Sequence, residues 1–207
     1  MLSPEFSLLK AFLHNPSKEL YGRQIERMTG TSHERAVSYL GKLASNGVLI
    51  REKKGKQVFY LPNKQSELAQ KALSFAEMER KMEFIKKKEA GFFVQDLVSQ
   101  MTAECGPSVY FILLFGSVAR VQAKARSDID LLFVLLGNGK TEKKIREIIK
   151  KRETISGKKI SSHPISLKEL EKAWMKEPVY RNIWDERIVF FGEENFWRFV
   201  FRNGAPE

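Results

Sequence analysis

Gly116-Ser117 is followed, after ten residues, by Asp128-Ile129-Asp130. Side chains two apart on a strand share a face, so the two aspartates project together while Ile129 turns into the core. Two carboxylates on one face are oxygen ligands for Mg²⁺. Metal held there can bridge the phosphates of a nucleotide and activate an attacking hydroxyl. Gly116 has no Cβ to keep its backbone from a phosphate. Ser117 adds a hydroxyl and an N–H, and a helix beginning after it would favour an anion. These are the parts of nucleotidyl transfer, with the acceptor still to be supplied.

The flanking segments must position those groups. Val109 to Phe115 and Ile129 to Leu136 are continuous apolar runs that read as buried strands. The segment between them is long enough for one or two helical turns. The glycine and serine therefore close one strand and the aspartates open the next.

FGSVAR…SDIDLLFVL resembles the minimal nucleotidyltransferases of the DNA polymerase β superfamily, whose signature is Gly-Ser, ten residues, Asp-x-Asp. The resemblance covers roughly Pro107 to Phe191. It implies a small mixed sheet flanked by helices, a bound NTP (ATP foremost), Mg²⁺, and transfer of an NMP to an acceptor hydroxyl. It makes Asp128 and Asp130 the metal-binding and catalytic pair, and Gly116 and Ser117 the triphosphate cradle. Arg120 falls where many members carry an arginine near phosphate; a solvated helix residue is the alternative. Many members have glycine next, where this chain has Val121. Active members also supply a third carboxylate from a later strand, as metal ligand and base. The corresponding strand, Lys159 to Ile165, contains no Asp or Glu. Ser161 and His163 are its nearest polar candidates, with Glu153 a distant one on a predicted helix.

The first sixty residues form a separate pattern. Leu8, Leu9, Phe12 and Leu13 have helical spacing after Ser3-Pro4. A second helix is expected over Leu20 to Met28, stopped at Gly30. A third is capped by Ser32, with Ala36, Val37, Leu40 and Leu43 inward. Val48-Leu49-Ile50 and Gln57 to Leu61 read as strands joined by a basic turn, residues 51–56. Three helices and a basic hairpin resemble a winged helix-turn-helix, with Thr29-Gly30-Thr31 as the turn. The third helix would enter the major groove of DNA through Ser32, His33, Arg35, Ser38, Tyr39 and Lys42. Arg35 is placed to read guanine or phosphate, while Lys53, Lys54 and Lys56 ride the wing beside phosphates.

Between the two lies a segment with apolar Leu68, Ala72, Phe75, Met78, Met82 and Ile85 at helical spacing. A break is expected near Gly91, with Phe92 and Phe93 buried beyond it. The stripe would pack on the winged helix or pair with a second copy in a homodimer. Net charge is +5 over residues 1–62, zero over 63–106 and +6 over 107–207. Basic charge thus gathers in the two domains expected to meet polyanions and not in the connector.

A single cysteine, Cys105, excludes an intrachain disulfide. No apolar run approaches the roughly 18–20 residues of a membrane helix, and no basic leader is seen. A cytoplasmic chain with no membrane partner is expected. Ser166-x-x-Glu169 reads as a capping box opening a helix through Trp174. Arg187 to Phe191 reads as a strand, Glu194 to Phe201 as a last helix, and the three tryptophans as core or dimer contacts. The expected architecture is α+β: a winged helix-turn-helix over 1–62, a helical connector over 63–106, and a nucleotidyltransferase-like domain over 107–207. The expected function is NMP transfer by a DNA-binding protein, to an acceptor brought by a protein or RNA partner. The alternative is a transcriptional regulator whose second domain only binds nucleotide or mediates assembly.

Overall fold

The computed structural model describes residues 4–120, 127–137 and 139–206. Ser3 and Val121 therefore lie outside the described residues. The chain divides into two units: residues 1–77 with 197–205, and residues 78–196 with 206–207.

In the first unit, Pro4–Phe12 forms a 3-10 segment that buries Leu8, Leu9, Ala11 and Phe12. It is followed by β1 (Leu20–Tyr21), α1 (Gly22–Thr29), α2 (His33–Ser45), β2 (Leu49–Lys54) and β3 (Gln57–Pro62). The three strands pair antiparallel in the order β1-β3-β2. This is the winged helix-turn-helix arrangement. Two boundaries differ from the sequence reading. Leu20 and Tyr21 are not helical: they pair with Tyr60 and Phe59 of β3, whose open edge satisfies their backbone. β2 runs through the expected turn as far as Lys54, leaving only Gly55-Lys56 to reverse the chain. On α2, Ala36, Leu40 and Leu43 are buried as expected, but Val37 is 55% exposed, because it falls one step off their i, i+4, i+7 row.

Two helices follow, α3 (Glu67–Lys87) and α4 (Glu89–Cys105). Their break lies at Lys88, three residues before the glycine expected to cause it. Gly91 sits inside α4 and is buried, because a Cβ there would come within 2.6 Å of the Ile85 Cα. Of the expected apolar stripe, Ala72 and Ile85 are buried, while Leu68, Phe75, Met78 and Met82 are exposed. Phe92 is 63% exposed, not buried, since Gly91, Val94, Leu97 and Val98 define the inward row of α4.

The second unit is built on a four-stranded mixed sheet, ordered β6-β5-β4-β7. Its elements are β4 (Val109–Phe115), the single turn α5 (Gly116–Ala119), β5 (Ile129–Leu135), α6 (Gly139–Ser156), β6 (Ile160–Ser166), α7 (Leu167–Ala173), α8 (Pro178–Glu186) and β7 (Ile188–Phe191). β4 pairs antiparallel with β5 and β7, and β6 runs parallel to β5. The central strands are buried on both faces, so they read as unbroken apolar runs. Val94, Leu97, Ile145, Ile148 and Ile149 of α4 and α6 pack with β-strand residues Ile112, Leu131 and Phe133 in the core. The capping box is formed: the Ser166 hydroxyl accepts from Glu169 N–H, and α7 ends at Trp174. Trp174 and Trp184 are buried in this unit. Trp197 is buried in the first unit, to which most of α9 (Glu193–Asn203), the last described helix, belongs.

Candidate functional site

β4 and β5 meet at their site ends through the pairing of Phe115 with Asp130. On the other side of β5, Asp130 faces Ser161 of β6. The sheet thus carries Phe115, Asp130 and Ser161 across three adjacent strands. Asp128 lies just before β5 and is exposed; Asp130 is half-buried.

The chain leaves β4 at Gly116 with φ +75°, a left-handed conformation that favours glycine. A second constraint acts there. A Cβ on residue 116 would overlap Oδ2 of Asp130. The room left by the missing side chain is taken by the Asp130 carboxylate. Ser117 sits half-buried in the first turn of α5, and Arg120 closes that turn.

Sequence reasoning missed Glu186, the last residue of α8. One of its carboxylate oxygens accepts the Gly116 N–H at 2.9 Å, and the other pairs with the Arg120 guanidinium. Two of the groups that the sequence offered to phosphate, the Gly116 backbone and Arg120, are thus held by an internal carboxylate. No spacing rule could find Glu186, because 70 residues separate it from Gly116.

Burial pushes the Asp130 carboxyl up from the ordinary carboxylate range, and the charges of Asp128 and Glu186 push the same way. His163 and the Ser161 hydroxyl oppose them. Ser161 and His163 are themselves joined, Oγ to Nε2, at 2.9 Å. The His163 ring lies 5.5 Å from the Phe115 ring, centroid to centroid. Glu153 is not part of the site: its carboxylate accepts the Ile160 N–H at 2.8 Å, at the start of β6.

Among the described residues no cluster of three or more His, Cys, Asp and Glu side chains is suited to a metal. Two carboxylates are nevertheless enough for Mg²⁺, which keeps several waters and completes its shell with substrate phosphates. The crowding of acids around Asp130 fits that use, since a divalent cation would relieve it. Asp128 and Asp130 are the residues that would hold it.

In the first unit, Ser32, His33, Arg35, Ser38 and Lys42 are exposed on and beside α2, and Tyr39 is half-buried. Ser32 occupies the N-cap position without a side-chain cap bond. Lys53, Lys54 and Lys56 are exposed on the hairpin. Two of these nine groups have acidic partners: His33 Nδ1 meets Glu26 at 2.7 Å, and Lys54 meets Glu19 at 2.6 Å. The Glu19 hydrogen bond raises the Lys54 ammonium pKa. Burial pushes the Cys105 thiol up, as for a quiet half-buried cysteine. No described helix is long and apolar enough to cross a membrane.

No curated protein matches the chain. Among solved structures, it is similar to a toxin-antitoxin crystallised with AMP-PNP, at 12% identity and TM-score 0.37, over 52% of this chain and 83% of that one. A mutant of the MntA-HpeT toxin-antitoxin gives 10% identity and TM-score 0.36 over the same shares. TrmBL2, an archaeal chromatin protein described with a novel mode of DNA binding, gives 14% identity and TM-score 0.28, over 89% of this chain and 70% of that one. The segment that carries the mixed sheet and both aspartates, residues 98–195, matches the family model Polymerase beta, Nucleotidyltransferase.

Proposed function

We propose that the chain is a nucleotidyltransferase with an N-terminal DNA-binding module, moving an NMP from an NTP to an acceptor hydroxyl with Mg²⁺. The observation that carries this reading is the construction around Asp130. The β4–α5 turn uses glycine where any side chain would overlap that carboxylate, and Asp128 opens the same strand. The cation would supply charge neutralisation at the phosphates. Gly116 N–H and Arg120 would bind phosphate once Glu186 releases them. The half-exposed Asp130 leaves the site open to an acceptor brought by a protein or RNA partner.

DNA binding is proposed for the exposed face of α2, with Arg35 leading, and for the lysines of the wing. Binding dominated by phosphate contacts weakens steeply with salt. A flat response to salt, or identical binding after replacing Lys53 and Lys56 with alanine, would remove this part of the reading. The exposed Leu68, Phe75, Met78 and Met82 agree with pairing of two copies on DNA.

A second reading is favoured by one observation: the strand beside Asp130 presents Ser161 and His163, and no carboxylate. On that reading the domain senses nucleotide for a transcriptional regulator and does not turn over. Calorimetric titration with ATP, GTP, CTP and UTP, with and without Mg²⁺, tests the site. Metal-dependent binding that is lost in Asp128→Ala/Asp130→Ala is expected. Labelled transfer to a cell extract then separates the enzyme from the sensor, and no binding at all refutes both.

A further inference from the structure

Ser161 and His163 are two apart on β6, so their side chains share one face of an edge strand. Ser161 Oγ lies 2.9 Å from His163 Nε2. Ser161 is also the partner of Asp130 in the parallel ladder. A hydroxyl within reach of an imidazole, whose ring is held by Phe115, is the arrangement that activates a serine nucleophile. Here it stands against one of the two carboxylates that would hold the nucleotide's metal.

The other serines of β6 do not share this position. Ser162 points to the opposite face of the strand. Ser166 is engaged in the capping box, accepting from Glu169 N–H and donating to its carboxylate. Ser161 is half-buried and His163 exposed, so a nucleotide at Asp128 and Asp130 can reach both.

The geometry points to Ser161 as an acceptor within the chain itself: the protein transfers an NMP from a bound NTP onto its own Ser161 Oγ, with His163 as the base. This rests on the nucleotidyltransferase reading above. Oγ attacks the α-phosphorus, and an Oγ–P bond forms as the bond from that phosphorus to the bridging oxygen breaks. Pyrophosphate leaves with the bonding electron pair, and the hydroxyl proton passes to His163 Nε2. The product is a serine phosphodiester, and the NTP is the only co-substrate. Positioning within one chain replaces a bimolecular encounter, which accounts for acceptance by an ordinary serine. The bound NMP would then lie against Asp130, so the reaction stops at one NMP per chain.

The test uses the full-length protein. Its intact mass is recorded as purified, then after incubation with each NTP and Mg²⁺, and the adduct is located by peptide mapping. The expected result is an adduct of one NMP, in the purified protein or after incubation, on the peptide that contains Ser161. Ser161→Ala carries no adduct on any peptide, while its circular dichroism is that of the wild type. His163→Gln slows labelling by roughly a hundredfold or more, the contribution of a positioned general base, with circular dichroism unchanged. An adduct on another residue, or equal labelling of Ser161→Ala, overturns the proposal. So does an unlabelled wild type that binds NTP. If such a protein still labels an acceptor in extract, the transferase reading stands without this one. A chain that binds no NTP overturns both.

Discussion

Gly116→Ala tests the link between backbone geometry and the candidate site. The substitution has two separable costs. The left-handed conformation at φ +75° penalises any Cβ by about 1–2 kcal/mol. The new methyl would also overlap Asp130 Oδ2, so the carboxylate must retreat by about 1 Å to reach ordinary contact. Gly157→Ala is the control. Its φ of +67° carries the same conformational penalty, but nothing lies within 4 Å of the added Cβ. Chemical denaturation should show a loss of about 1–2 kcal/mol for Gly157→Ala, and a larger loss for Gly116→Ala. Calorimetry should show unchanged Mg²⁺-dependent NTP binding in the control, against a loss of about tenfold or more in Gly116→Ala. A misplacement of about 1 Å is worth roughly a hundredfold in transfer rate. If the two variants match in both stability and NTP affinity, Gly116 serves only its turn, and the argument that it is built around Asp130 fails.

Glu186→Gln removes the charge that holds Gly116 N–H and Arg120, which on the proposed reading would bind phosphate. NTP binding should tighten, by no more than about fivefold, because a half-exposed ion pair is worth at most about 1 kcal/mol. Weaker metal-dependent binding would instead make Glu186 a metal ligand. The capping box adds a pH dependence. The hydroxyl and N–H of Ser166 hold the Glu169 carboxyl below its usual value. Its contribution is therefore present above the unfolded value and is lost as pH falls through the folded one. Glu169→Ala should be less stable than wild type at neutral pH, and the gap should narrow in acid; a gap that is constant with pH would contradict the assignment.

Much of the candidate site was legible before any fold was known, because its parts are local. Gly116-Ser117 and Asp128-x-Asp130 lie at the ends of two apolar runs whose burial on both faces is written in their composition. The Ser166–Glu169 box and the stop at Gly30 are likewise set by neighbours along the chain. Periodicity was less secure where two rows of a helix compete. It placed Val37 and Phe92 inward, and packing turned both out. It also made Leu20 and Tyr21 helical, although the edge of β3, some 40 residues on, recruits them as a strand.

The sequence by itself determined which groups have the chemistry suited to a cation and a phosphate, and on which elements they ride, since those properties depend on side-chain type and spacing within a few residues. Only the tertiary structure decided what surrounds them. The parallel register of β6 sets Ser161 beside Asp130, and the end of α8 brings Glu186 to the backbone of Gly116. Each of these contacts joins segments that no local pattern relates. Their partners are selected by strand pairing and by the burial of apolar faces across the whole unit.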